Sequence, residues 1–158
     1  MVTDRMYNHR GVFADLCRRA RKGGDWAGFK PVRFENRRTD TQWYFLDLPY
    51  CYAFVFRGTE PDNPRDWLTD LMFRRKVIPY GNLNSKIRMH RGILGAYLSV
   101  RDQVHDTVRR HVNEPKPVVI DGHSLGGGLA TACAVDLQWN MKEGTLQDHA
   151  RSIFVFTF

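Results

Sequence analysis

The sequence has 158 residues and a mass of 18.4 kDa, a length typical of one domain. Hydrophobic residues make up 42% and charged residues 26%, which predicts a buried core and excludes a disordered chain. The net charge is +7, and no stretch has the roughly 20 apolar residues of a membrane span or the apolar region of a signal peptide, so we expect a cytoplasmic protein.

The positive charge is concentrated at the N-terminal end. Residues 1–38 hold ten Lys and Arg against four Asp and Glu, whereas the rest of the chain is nearly neutral. We therefore expect a basic segment over residues 1–38 and one globular domain over residues 39–158. The basic residues from Arg18 to Arg38 predict contact with an anionic surface, with an ordinary solvated helix end and loop as the alternative. No nucleic-acid module signature accompanies them, so no nucleic-acid partner is expected.

The three cysteines are Cys17, Cys51 and Cys133. Their odd number and wide spacing argue against a disulfide framework or a zinc site, and they fit a reducing compartment. We expect neither a metal nor a cofactor.

The first half of the chain predicts one helix and then strands. Apolar residues at three- and four-residue spacing indicate a helix over residues 7–22, which Gly23-Gly24 would end. Residues 31–38 are expected to be extended. Gln42–Leu48 and Cys51–Phe56 predict a pair of adjacent strands, and the second is apolar enough to be buried on both faces.

The second half alternates strands and helices. Residues 57–91 are irregular except for a short amphipathic helix expected at Asp66–Phe73, and one long helix is predicted over residues 94–113. A strand at residues 118–120, a helix at residues 125–140 and a strand at Ile153–Phe158 follow. This order predicts an α/β fold with a mostly parallel sheet and helices on both faces.

One turn of the predicted fold contains a candidate catalytic serine. Gly122-His123-Ser124-Leu125-Gly126 is a G-x-S-x-G segment that follows an apolar strand and opens a helix. This is the setting of a nucleophile elbow, in which a tight turn needs small residues two places before and two places after the serine. The serine hydroxyl would then lie at a helix N-terminus, where free amides favour a developing anion.

A nucleophile of this kind needs two donors for an oxyanion. The amide after the nucleophile belongs to Leu125, and a second donor is expected from the loop after an earlier strand. Arg57-Gly58-Thr59 directly follows the strand Cys51–Phe56. Gly58 would allow the backbones to approach closely, and the Thr59 amide would be the second donor.

Four segments in order resemble the class 3 (fungal-type) lipases of the α/β-hydrolase fold. They are AFVFRGTE, DWLTDL, MHRGILGAY and VVIDGHSLGGGLA, and the terminal IFVFTF resembles a further strand of that family. The resemblance implies a lipid or ester substrate, with Ser124 as nucleophile and Thr59 and Leu125 as oxyanion donors. It also implies supporting roles for Asp70, which would brace the Thr59 loop, and for the elbow residues Gly122, His123 and Gly126. Acyl-chain contacts would come from a lid region that contains Trp67, Leu68, Leu71, Met72 and Phe73.

The acid and the base of a triad are harder to find. The order in this fold is Ser, Asp or Glu, then His, and the chain after Ser124 offers only Asp136, Glu143 and the pair Asp148-His149. Asp136 would lie three turns down the helix, and His149 would lie at the opposite end of the last strand, beyond hydrogen-bond reach.

The other histidines offer little more. His90 is the one histidine considered as a substitute for the missing general base, although packing and hydrogen bonding are its expected roles. His105 and His111 are expected at the surface or its boundary. The resemblance implies that the acid and base come from segments beyond Phe158, so we expect a partial α/β-hydrolase that lacks its C-terminal strands.

The sequence is compatible with two hypotheses about function. The first is a serine ester hydrolase that is incomplete as this chain alone, or is completed by a second polypeptide at the Ile153–Phe158 edge. The second is a non-catalytic remnant that binds lipid or a partner. In both cases an uncovered apolar edge strand would favour pairing with another strand.

Overall fold

The computed structural model describes residues 9–23, 25–58, 75–77, 88–144, 146 and 152–158. Within these ranges the elements in chain order are α1 (Arg10–Lys22), β1 (Val32–Asn36), β2 (Thr41–Leu48), β3 (Cys51–Phe56), β4 (Arg75–Val77), β5 (Arg88–His90), α2 (Arg91–Leu98), α3 (Arg101–His111), β6 (Val118–Gly122), α4 (Leu125–Lys142) and β7 (Ile153–Thr157).

The main sheet has the strand order β1-β2-β3-β6-β7. Its first three strands are antiparallel neighbours, whereas β3, β6 and β7 run parallel to one another. Every residue of β3 and of β6 is buried, as continuous apolar strands in the middle of a covered sheet should be. The expected strand pair and the expected α/β class are therefore confirmed, in a sheet that is mixed.

Alternate residues of the strands supply two separate apolar clusters. Trp43, Tyr52 and Phe54 point to the face covered by α3 and α4. Tyr44, Leu46 and their alternating neighbours point to the face covered by α1. Since side chains alternate across a strand, one sheet serves both clusters, and helices cover both of its faces as predicted.

The N-terminal helix α1 buries Phe13, Leu16, Cys17 and Ala20 against the sheet. The Phe13 ring stacks on Phe156 of β7 with centroids 5.0 Å apart. Gly23 ends the helix at φ 62°, and its amide donates to the Arg19 carbonyl. The predicted helix and its glycine stop are thus confirmed.

The single helix predicted over residues 94–113 is wrong, because the chain breaks between α2 and α3. The Asn36 side-chain amide donates to the Ser99 carbonyl at 2.9 Å, and the Ser99 hydroxyl is hydrogen-bonded to Thr39 at 2.7 Å. The Val100 amide donates to Tyr97, three residues back, instead of continuing the four-residue ladder. The end of β1 and the turn after it therefore anchor Ser99, directly before the point where the helical ladder breaks at Val100.

A buried carboxylate joins the three helices on one face. Asp136 of α4 has no exposed surface and accepts hydrogen bonds from Tyr97 of α2 and from Arg101 and His105 of α3. The expected surface position of His105 is wrong, since the residue is only 4% exposed. Hydrophobic spacing could not reveal this, because a histidine enters a core when a charged partner receives it.

Two described segments lie outside the main sheet. β4 and β5 pair antiparallel as a small separate sheet, with Arg75 opposite His90. The helix predicted at Asp66–Phe73 lies outside the described residues. Across the ranges that the structure describes, no helix has the length and apolar character needed to cross a membrane.

Candidate active site

Ser124 stands at the sharp turn between β6 and α4. Its backbone has φ 56° and ψ −122°, a conformation that non-glycine residues rarely adopt. The residue is exposed, although the strand before it is fully buried. A strained, exposed serine between a buried parallel strand and a helix has the geometry of a nucleophile elbow.

The two outer glycines of the motif make this turn possible. A Cβ on Gly122 would lie 2.1 Å from the Gly126 carbonyl oxygen, and a Cβ on Gly126 would lie 2.4 Å from the Phe56 carbonyl oxygen. Both distances are well below van der Waals contact with backbone atoms that cannot move aside. The spacing of small residues in the sequence therefore has a direct steric cause.

The loop after β3 meets the elbow from the side. A Cβ on Gly58 would lie 2.3 Å from the His123 carbonyl oxygen, so the close backbone approach predicted for Gly58 is present. Among the described residues the Leu125 amide makes no backbone hydrogen bond, as expected for the first residue of a helix. The loop and the start of α4 thus lie together at the carboxyl ends of β3 and β6.

Strand β7 fixes the elbow from its other side. The Ser124 amide donates to the Phe158 carbonyl at 2.9 Å, and the Phe158 amide donates to the Gly122 carbonyl at 3.1 Å. A Cβ on Gly127 would lie 3.3 Å from the Cβ of Thr157. The backbone of Ser124 is therefore held by a neighbouring strand as well as by its own turn.

His90 is used as a helix cap. Its Nδ1 accepts from the amides of Gly92 and Ile93 at the start of α2. A neutral ring that accepts at Nδ1 carries its proton on Nε2, where it donates and cannot take a proton. The hydrogen-bonding role expected for His90 is confirmed, and this geometry argues against its use as a base.

The other described histidines lie elsewhere. His105 is bound to Asp136 at 2.7 Å, His9 stacks on Tyr50, and His111 meets the ring of Phe45. His123 belongs to the exposed elbow itself. Within the described ranges, no histidine is hydrogen-bonded to the Ser124 hydroxyl.

Asp136 is committed to the helix network and is not a partner of the elbow. Burial opposes ionisation of this carboxyl, but hydrogen bonds from His105, Tyr97 and Arg101 outweigh it and leave the pKa below its ordinary value. Its role is to hold α2, α3 and α4 together. Glu143 is exposed beyond the far end of α4.

Several predicted site residues lie outside the described residues. These are the second oxyanion donor, the residue expected to brace it, the lid residues and the last Asp-His pair, namely Thr59, Asp70, Trp67, Leu68, Leu71, Met72, Phe73, Asp148 and His149.

The sequence reasoning missed a buried carboxyl beneath the elbow. Asp121 has no exposed surface, and the Cys17 thiol of α1 donates to its Oδ1 at 2.9 Å. Its Oδ2 has no hydrogen-bond partner among the described residues. Burial raises the pKa of Asp121 to about 7, against smaller opposing effects of the Cys17 and Gly122 hydrogen bonds. The signal in the sequence was an acidic residue at the end of an otherwise apolar strand.

A mixed α/β sheet with a serine elbow between a parallel strand and a helix defines an α/β-hydrolase fold. The model of the family described as Lipase (class 3) matches residues 53–158 of this chain. The chain therefore belongs to the class 3 lipase family.

Individual relatives agree with this assignment. A lipase of Rhizomucor miehei is 32% identical over 105 residues, which are 65% of this chain and 26% of the relative. The rice protein named phospholipase A1-II 4 is 33% identical over 144 residues, covering 72% of this chain and 36% of the relative. The chain thus spans about a quarter to a third of the length of these relatives.

Solved structures show the same fold. The triacylglyceride lipase of Rhizomucor miehei superposes with a TM-score of 0.69 at 24% identity, covering 97% of this chain and 61% of that one. Lipase II of Rhizopus niveus superposes with a TM-score of 0.67 at 23% identity, covering 98% and 62%.

Proposed function

We propose that the protein is a serine ester hydrolase that acts on lipid esters, with Ser124 as its nucleophile. The observation that carries the proposal is the exposed, positive-φ serine at the head of α4, directly after a buried parallel strand. The shared chemistry in the names of its relatives, lipase and phospholipase A1, supports a lipid carboxylic ester as the substrate class.

In the proposed mechanism the Ser124 Oγ attacks the ester carbonyl carbon, and a general base takes the hydroxyl proton. The carbonyl oxygen becomes an oxyanion, which the amides of Leu125 and Thr59 stabilise. The protonated base then gives the proton to the departing oxygen, which leaves as the alcohol, and water activated by the same base hydrolyses the acyl-serine. Removal of a triad member typically leaves about 10³–10⁴-fold acceleration over water, so rapid turnover also requires an acid and a base.

We propose further roles around this centre. Gly122, His123 and Gly126 shape the elbow, and Asp70 braces the loop that carries Thr59. The segment with Trp67, Leu68, Leu71, Met72 and Phe73 contacts the acyl chain. In this division residues 39–158 carry the hydrolase motifs, and the basic segment over residues 1–38 contributes α1 and β1 to the same fold.

The test is hydrolysis of a short-chain p-nitrophenyl ester by the natural protein. Ser124→Ala should lower kcat/KM by about 10³-fold or more, because the nucleophile is removed. Ser152→Ala is the matched control, since that residue contributes its backbone carbonyl to β6, and it should keep wild-type activity. Equal activity of wild type and Ser124→Ala would refute the proposal and favour the non-catalytic, lipid-binding alternative.

We also propose that the basic residues from Arg18 to Arg38 touch an anionic lipid surface. Asp15 pairs with Arg18 and Arg19, and Glu35 pairs with Arg33 and Arg37, so much of this charge is compensated within the segment. The expected contact is therefore weak and is lost as salt rises. Binding to phosphatidylserine vesicles that is insensitive to 0.05–0.5 M salt would contradict it.

The exposed edge of the sheet is a proposed pairing site. Val155 of β7 is 41% exposed, and β7 is the outermost described strand on its side. We propose that a further strand pairs with Ile153–Phe158, supplied by the same protein or by a second polypeptide. Backbone hydrogen exchange at β7 tests this, since a paired edge protects amides that an unpaired edge leaves open.

A further inference from the structure

The strand that leads into the elbow carries an ionisable group in an apolar layer. Asp121 lies between Val55 of β3 and Phe156 of β7 in the register of the sheet. It points to the face that α1 covers, together with Val119 two residues earlier. The side chain has no exposed surface, so its carboxyl is closed off from water by α1.

The surroundings of this carboxyl favour its neutral form. Its Oδ1 receives a hydrogen bond from a thiol, a weak donor, and its Oδ2 has no hydrogen-bond partner among the described residues. The Gly122 amide beside it also favours the ionised form, but burial outweighs both of these donors. Burying an ionised carboxylate with so few donors is unfavourable unless the group is neutralised or solvated.

Four charged groups of α1 are engaged away from Asp121. On α1, Asp15 pairs with Arg18 and Arg19, and Arg10 lies over the ring of Phe158. On the neighbouring strands the residues opposite Asp121 are apolar, and His123 of the same segment is exposed at the elbow. From α1 the group that meets Asp121 is the Cys17 thiol, whose own pKa is raised by burial and by the carboxyl beside it.

We propose that the contact between Cys17 and Asp121 makes the docking of α1 sensitive to pH. The helix is docked while Asp121 is neutral, and it is released when that carboxyl ionises and takes up water. The proposal rests on the interface between α1 and the sheet and is independent of the hydrolase activity. Because Asp121 precedes Ser124 by three residues, release would uncover the strand beneath the elbow.

The effect of pH on α1 docking is set by the difference between the docked and released pKa values of Asp121. In the docked state the pKa of Asp121 is about 7, whereas once exposed it returns towards its ordinary 3.8. Docking is therefore strongest below about pH 4 and weakens as the pH rises to about 7, where the loss levels off. The opening equilibrium of α1 should rise on the order of a hundredfold between pH 5 and pH 8.

Hydrogen exchange of the α1 amides between Leu16 and Ala20 measures this equilibrium in the natural protein, after correction for the intrinsic pH dependence of exchange. Wild type should show the rise and then a plateau. Asp121→Asn, which is nearly isosteric with the neutral acid, should vary by less than about threefold over the same range. Asp15→Asn is the control on the same helix and should respond as wild type does, since the low pKa of Asp15 keeps it ionised throughout.

Two results would overturn the proposal. One is a response to pH that is the same in wild type and Asp121→Asn. The other is exchange of α1 and of the β3 amides at one common rate, which would mean that α1 leaves only when the whole fold opens. Cys17→Ala gives an independent check, because loss of a hydrogen bond that lowers the pKa of Asp121 should move the midpoint to higher pH. A midpoint moved to lower pH would contradict the assignment.

Discussion

Asp136 is the residue on which the packing of three helices depends. Asp136→Ala should lower the free energy of unfolding by about 3–5 kcal/mol, because it leaves Arg101 and the buried His105 without their shared anion. Asp106→Ala removes an exposed pair with Arg109 and should cost less than about 0.5 kcal/mol. Urea unfolding of both variants measures the difference, and equal losses would contradict the role given to Asp136.

Asp136 also makes the free energy of unfolding depend on pH. Its pKa is lowered in the folded state, so its contribution to stability is complete above the ordinary value near 4 and is lost as the pH falls below it. The difference in unfolding free energy between wild type and Asp136→Asn should therefore shrink between pH 5 and pH 2. A difference that stays constant over this range would show that the ionised carboxylate is not what stabilises the helices.

Gly58 and Gly95 differ in the space that each leaves for an added methyl group, so their alanine variants can be compared. A methyl group at Gly58 meets the His123 carbonyl oxygen at 2.3 Å, whereas Gly95 in α2 is exposed with nothing within 4 Å. Gly95→Ala should stabilise the protein by about 0.5–1 kcal/mol through helix propensity. Gly58→Ala should destabilise it, since backbone must move at the elbow. Thermal unfolding of the two variants measures both effects. A Gly58→Ala protein as stable as wild type would show that the loop does not approach the His123 carbonyl this closely.

At the scale of elements, the pattern of apolar residues predicted most of the structure. β3 and β6 follow from continuous apolar runs, which are buried on both faces of the sheet. α1 follows from apolar residues at three- and four-residue spacing, which form its buried face. The break between α2 and α3 could not be predicted in this way. It depends on Asn36 and Thr39, which lie some 60 residues away from Ser99 in the sequence. Local spacing carries no information about such a partner.

This break is open to test through Asn36. Asn36→Ala should lower the free energy of unfolding by about 1 kcal/mol, because the part-buried Ser99 carbonyl loses its donor. Arg37→Ala is the control one residue on, where the side chain is 90% exposed, and it should cost less than about 0.5 kcal/mol. If the two variants unfold at the same urea concentration, the turn does not hold the chain at Ser99.

For the molecule as a whole, the fold brings the carboxyl ends of β3, β6 and β7 to one edge of the sheet. Gly58, Ser124 and Phe158 meet there through backbone contacts. The motif and its context predicted the sharp turn at Ser124 and the close backbone approach of Gly58. The Asp121 and Asp136 contacts were not predictable, because each depends on a helix from a distant part of the chain that places a donor beside a buried carboxyl.

The central claim is that Ser124 is a nucleophile, and covalent labelling of the natural protein tests it most directly. A fluorophosphonate probe should form an adduct that peptide mass mapping assigns to Ser124, and Ser124→Ala should not be labelled. Labelling of wild type no faster than of Ser124→Ala, or an adduct mapped to another residue, would contradict the claim.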